Sequence, residues 1–153
     1  MERIVLDTNV FVNLMLDTSL TEKAKLLLKK VVGGYKPTVL SNVFEETIFV
    51  LVREELKSKE GIERFYDLMD YIKREDYEGM ELHRKFIDLL GELDVELLAN
   101  RFDTSDFLDM LQEYRLLPND ALIAATCKFY GIRRIASFDE DFTRVDFLEI
   151  VKP

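Results

Sequence analysis

Four carboxylates in this 153-residue sequence stand where chemistry is commonly done. Asp7 directly follows the apolar run Ile4-Val5-Leu6 and opens the tripeptide Asp7-Thr8-Asn9. Asp139 follows a second short run, Ile135-Ala136, in Ser137-Phe138-Asp139-Glu140-Asp141-Phe142. Asp120 sits in Leu117-Pro118-Asn119-Asp120, ahead of the nearly all-apolar stretch Ala121 to Cys127. A helix that is apolar all round is a buried one, so Asp120 enters a packed region and needs a partner there. The fourth is one of the adjacent pair Glu45 and Glu46. With Asn42 read as an N-cap, Glu45 falls at the third helical position, where a capping box employs it. Glu46 has no such local task and is free to point at the strand ends, so it is the preferred candidate.

Each acid also has a plain structural reading. Asp7 can cap the next helix, Asp139 can be a polar turn, and Asp120 can simply complement a helix dipole, for about 0.3–1 kcal/mol. Together they are harder to dismiss. Two unit charges about 4 Å apart cost roughly 4 kcal/mol at an effective dielectric near 20. A cluster of such groups is tenable if it binds cations or stays partly protonated. There is one histidine, His83, and one cysteine, Cys127, so a His-rich zinc site, a CxxC site and a disulfide are excluded. Oxygen-only ligation selects Mg²⁺ or Mn²⁺, the ions with which proteins hydrolyse phosphodiesters. Bound metal would also invert the local sign and let a chain with 30 acids, 21 bases and a net charge of −9 approach RNA.

The elements that must hold these acids can be read from periodicity. Strands are expected at Ile4–Leu6, Pro37–Leu40, Val95–Ala99, Ile135–Ala136 and Phe147–Val151. Helices are expected over Leu14–Val32, stopped by Gly33-Gly34, over Asn42–Leu56, 60–75, 79–92 and Thr104–Tyr114, and from Asp120 to Tyr130 behind an Asn119 cap. Strands alternating with helices predict an α/β fold, a three-layer α/β/α sandwich around a mostly parallel sheet of about five strands. In such sheets ligands bind beyond the carboxyl ends of the strands, where the acids fall. One domain over 1–153 is expected, with a helical hairpin at about 58–92. The opening residues do not read as a signal peptide, and no apolar run is long enough to span a membrane. The expected compartment is the cytoplasm. His83 reads as a solvated helix-face residue, Cys127 as a buried apolar one, and Arg53, Arg133, Arg134 and Arg144 as surface charges before phosphate contacts.

The four segments resemble the PIN domain family of Mg²⁺- or Mn²⁺-dependent ribonucleases. The resemblance rests on Ile4 to Asn9, on Glu46 followed by Thr47 to Leu51, on Leu117 to Ala125, and on Ser137 to Phe142. It covers roughly the first 55 and last 50 residues and leaves the middle hairpin unmatched. It implies metal ligands at Asp7, Glu46, Asp120 and Asp139, supported from behind by Thr8, Asn9 and Ser137, with Asp141 on the water side. Many PIN domains of this size resemble VapC-type toxins of toxin–antitoxin pairs, which cut RNA and form homodimers. Others resemble RNA-processing endonucleases. The expected partners are therefore an RNA substrate, a second copy of the chain and an antitoxin protein. The competing reading is a catalytically silent PIN-like module that binds RNA or protein.

Overall fold

A computed structural model describes residues 1–153. Five strands form one all-parallel sheet: β1 (Arg3–Leu6), β2 (Lys36–Leu40), β3 (Glu96–Leu98), β4 (Arg134–Ala136) and β5 (Glu149–Val151), in the order β3-β2-β1-β4-β5. Seven helices flank it: α1 (Thr8–Met15), α2 (Thr21–Gly34), α3 (Ser41–Glu60), α4 (Phe65–Glu75), α5 (Leu82–Glu92), α6 (Thr104–Gln112) and α7 (Pro118–Tyr130). The expected α/β architecture is the observed one. None of the helices is long and apolar enough to cross a membrane.

The first strand is the central one because it is apolar on both faces. Ile4, Val5 and Leu6 are all fully buried, as the middle strand of a covered parallel sheet requires. β1 pairs with β2 on one side and β4 on the other, and the chain reverses its direction of winding between them. That switch point is where such sheets open a crevice at their carboxyl edge. α7 packs against the sheet through Ala121, Ile123, Ala124, Ala125 and Cys127, all buried. On α1, Phe11 meets Phe86 of α5 edge to face, with centroids 5.0 Å apart.

Several boundaries differ from the sequence reading, each for a local reason. The expected helix Leu14–Val32 is two helices. Between them the Thr21 hydroxyl donates to the carbonyls of Asn13 and Leu16, and the Thr18 hydroxyl donates to Asn13 Oδ1. These side chains take over the helix-end carbonyls and let the chain turn. Gly33 and Gly34 are helical, and the stop comes at extended Tyr35. Neither Asn42 nor Asn119 is an N-cap. The caps are Leu40 and Leu117, which have no side-chain oxygen to offer. In α7, Pro118 occupies the first turn, where its missing N–H costs nothing. In α3 the unpaired Asn42 N–H is taken by Asn100 Oδ1 at 2.8 Å, from 58 residues away. Glu45 therefore lies beyond the first turn, and the capping-box assignment fails.

In the middle segment, α5 begins on a carboxylate from α3. Glu55, buried, accepts from the backbone N–H groups of Glu81 and Leu82 and pairs with Lys59 at 2.7 Å. Burial alone would raise its carboxyl. The Lys59 ammonium and the two amides outweigh burial and hold it below its ordinary value. Leu68 of α4 packs with Val52, Leu56 and Met80 in a satellite core. His83 is half-buried and not solvated as expected: its ring lies 5.6 Å from Tyr77, its Nδ1 has no partner, and burial lowers its pKa.

Candidate active site

The carboxyl edge of β1 and β4 opens into a cleft of about 420 Å³. Asp7, Glu46, Asp120 and Asp139 all line it, together with Thr8, Asn9, Asn13 and Asn119 and the apolar residues Val12, Val50 and Leu117. Glu45 does not; it borders an apolar groove on another face of α3, beside Phe44, Ile48 and Phe49.

Asp7 is held on every side. Its N–H extends the β1–β4 ladder to Ala136 O at 3.0 Å. Its Oδ1 accepts from Thr8 N at 2.8 Å and caps α1, so the capping role and the place in the cleft coexist. Its Oδ2 accepts from the Ser137 hydroxyl at 2.7 Å and from Asn9 Nδ2 at 3.3 Å. Burial pushes the carboxyl up to about 6, against the pull of Ser137 and the Thr8 amide, and the charges of Glu46 and Asp139 add to the rise.

Ser137 and Asn9 form a rigid back wall. The Ser137 oxygen accepts from Asp139 N at 2.9 Å and from Asn9 Nδ2 at 3.1 Å, while Asn9 Oδ1 accepts from Phe138 N at 3.1 Å. Asp139 Oδ1 in turn accepts from Asp141 N at 2.8 Å and starts a short 3₁₀ turn over Glu140–Arg144. Glu46 Oε2 accepts from the Thr8 hydroxyl and from Asn119 Nδ2, each at 2.9 Å. No protein donor reaches the Asp120 carboxylate. Burial pushes it up to about 7, followed by the charges of Asp7, Asp139, Asp141 and Glu46.

Oxygens of Asp120, Asp139 and Asp141 lie within 4.8 Å of one another. Asp141 is exposed, on the water side, and pairs with Arg144 at 3.4 Å. This trio and the lining of the cleft share Asp120 and Asp139, which makes those two the middle of the acidic group. Sequence reading missed Asn119 as a part of the cleft, because the cap it was assigned explained it away. Of the arginines singled out, Arg134 bridges Glu2 and Glu149 and Arg53 pairs with Glu54, both far from free.

The PIN domain profile matches residues 4–148. The chain belongs to the PIN domain family. Over 151 residues this PIN domain is 33% identical to a protein of Methanocaldococcus jannaschii named Ribonuclease VapC6, covering 97% of this chain and 96% of that one. It is 34% identical over 135 residues to Ribonuclease VapC2 of the same organism, covering 81% and 74%. Among solved structures, it resembles Mycobacterium tuberculosis VapC20, described as a sarcin-ricin loop cleaving toxin, with a TM-score of 0.58 and 18% identity over 98% of this chain and 99% of that one. It also resembles VapBC2 of Rickettsia felis bound to a DNA fragment from its promoter, with a TM-score of 0.61 and 15% identity over 97% of each chain. The two solved structures share the fold of this PIN domain.

Proposed function

We propose that this PIN domain is a divalent-metal-dependent endoribonuclease that hydrolyses RNA phosphodiester bonds, acting in the cytoplasm as the toxin of a toxin–antitoxin pair. The observation that carries the reading is the convergence of Asp7, Glu46, Asp120 and Asp139 on one cleft at the sheet's switch point. The two relatives named Ribonuclease VapC, aligned along most of the chain, support the nuclease and toxin parts. An RNA substrate, a homodimer and an antitoxin protein complete the proposal.

The residues present fit a hard divalent cation. The donor set is all carboxylate oxygen, which suits Mg²⁺ or Mn²⁺. Asp120 has no protein donor and its carboxyl is pushed up to about 7 by burial and then by its neighbours' charges, so the group favours a cation or protons in its midst. Asp7, Asp120 and Asp139, with Glu46 from the facing helix, would hold the ion. When bound, it lowers the pKa of water and neutralises charge on the phosphate.

The chain's own residues do the positioning. The Ser137 hydroxyl and the Thr8 amide orient Asp7 and oppose the rise that burial imposes on its carboxyl. Thr8 and Asn119 fix one oxygen of Glu46. Val12, Val50 and Leu117 supply the apolar part of the cleft lining. Purified protein should cleave single-stranded or looped RNA with Mg²⁺ or Mn²⁺ and cut duplex RNA less well, since sequence readout favours unpaired bases. EDTA and Asp7→Asn should each abolish cleavage. Cleavage that survives EDTA refutes the metal mechanism, and RNA binding without cleavage under any metal favours the silent-module reading.

A further inference from the structure

Glu46 is a long side chain among like charges, and both protein donors meet the same oxygen, Oε2. Oε1 is left uncommitted. That division depends on Asn119 presenting its nitrogen, and not its oxygen, to the carboxylate. An asparagine amide has a donor edge and an acceptor edge, and the acceptor-only Glu46 carboxylate favours the donor edge, so the network behind Asn119 must either agree with that direction or oppose it.

The direction can be traced through two more asparagines to a group that cannot flip. The backbone N–H of Asn42 can only donate, and Asn100 Oδ1 receives it at 2.8 Å, along with the Ser41 hydroxyl at 2.7 Å. Asn100 must then aim Nδ2 the other way, at Asn42 Oδ1 (2.9 Å) and Thr126 Oγ1 (3.2 Å). Asn42 consequently turns Nδ2 towards Asn119 Oδ1 at 3.0 Å, a direction that the Asn119 backbone carbonyl at 3.5 Å also favours. Asn119 is left with Nδ2 facing Glu46.

We propose that Asn119 is a positioning residue for Glu46, and that a relay of three amides, Asn100 to Asn42 to Asn119, fixes which edge of Asn119 meets the carboxylate. The relay starts from the orphan N–H at the head of α3, the helix that carries Glu46. It therefore couples the end of β3, the starts of α3 and α7, and the cleft. Its role in cation binding rests on the metal-dependent reading above.

Asn100→Asp tests it. The new carboxylate still accepts from Asn42 N–H and suits a helix N-terminus, so the melting temperature should hold. It cannot donate to Asn42. Asn42 is then drawn to turn its nitrogen towards residue 100, which sets its oxygen against that of Asn119, and Asn119 can relieve that clash only by weakening its bond to Glu46. Two readouts follow. In metal-free protein, the Asn119 side-chain amide proton bonded to Glu46 should move upfield in ¹H–¹⁵N spectra. In calorimetric titration with Mn²⁺, affinity should fall about tenfold, the scale of a charge-assisted hydrogen bond.

The sign is diagnostic, because an added negative charge acting by Coulomb attraction alone would tighten Mn²⁺ binding. The loss should vanish in an Asn119→Ala background, where the relay is already cut. Asn42→Asp, which also cannot donate to Asn119, should reproduce both effects if Asn100→Asp folds poorly. An unmoved Asn119 resonance, unchanged or tighter Mn²⁺ binding, or an equal loss with and without Asn119 overturns the relay. Wild type that fails to bind Mn²⁺ at all refutes the metal reading, while the amide spectrum still decides the relay.

Discussion

The Ser137 hydroxyl donates to Asp7 Oδ2 at 2.7 Å, joining two residues 130 positions apart in the chain. The same oxygen accepts from Asp139 N and Asn9 Nδ2, so one buried hydroxyl ties together the first and last acids of the cleft. Ser137→Ala leaves the Asp139 N–H without its acceptor, costs Asn9 Nδ2 one of its two bonds and removes a charge-assisted bond to Asp7. It should cost about 1–3 kcal/mol of stability, weaken Mn²⁺ binding about 10–100-fold, and raise the Asp7 carboxyl further. Denaturant melts and metal titration check the first two. Wild-type stability in Ser137→Ala would show that water replaces the hydroxyl without loss.

The two adjacent glutamates should separate cleanly. Glu46→Gln should lower kcat/KM by at least about 100-fold with little change in melting temperature. Glu45→Gln should stay within about twofold, because Glu45 borders the apolar groove and neither lines the cleft nor caps α3. Single-turnover cleavage assays distinguish them, and a dead Glu45→Gln would place the chemistry on the wrong face of the helix.

Asp120→Asn removes one charge from the middle of the acidic group and breaks no hydrogen bond to protein. Without metal it should be at least as stable as wild type, by up to about 1 kcal/mol, since water still partly screens the site. In saturating Mg²⁺ or Mn²⁺ the order should reverse, because wild type gains more binding energy by linkage. Melts in EDTA and in excess metal test this. Strong destabilisation in EDTA, with no metal response in either protein, would mean that Asp120 serves the helix alone.

The same residue gives a pH signature. The Asp120 carboxyl is raised from 3.8 to about 7 in the folded state, by burial first and neighbouring charges second. Below pH 3.8 folded and unfolded forms both hold the proton, and the raised pKa costs no stability. As pH climbs towards 7 the unfolded chain has released it while the fold still holds it, so wild type loses stability progressively. In EDTA the gap between Asp120→Asn and wild type should be smallest near pH 4, widen to about pH 7 and then level. A gap that does not change with pH would contradict a raised carboxyl.

The sheet was legible because short apolar runs alternate with longer helical patterns, and Ile4 to Leu6, followed at once by Asp7, carry the pattern of a strand buried on both faces. The convergence of four carboxylates was legible for the same reason: parallel strands bring all their carboxyl ends to one edge. Glu46 was chosen over Glu45 from a capping box that does not exist. Adjacent helix positions face different directions, and of the two it is Glu46 that lines the cleft. The helix starts were misread because Asn42 and Asn119 look like caps, whereas the α3 N–H is fed by Asn100 from a distant strand end. No local pattern announces a tertiary cap. His83 was misread because its ring lies beside Tyr77, from the loop that precedes α5.

The position of β1 has a consequence for the order in which the protein is made. β1 leaves the ribosome first, yet one of its two flanking strands, β4, and the Ser137 and Asp139 that follow it come from the last twenty residues. A nascent chain can pair β1 with β2 early, but β1 keeps an open edge until β4 arrives. Closing that edge joins segments far apart in sequence, which makes it a slow step of folding. A chain interrupted before β4 carries Asp7 and Glu46 but lacks the Ser137 hydroxyl and the Ala136 carbonyl that tie Asp7 to the far side of the cleft. The cleft is therefore completed only when the strand that carries Ser137 and Asp139 has paired with β1.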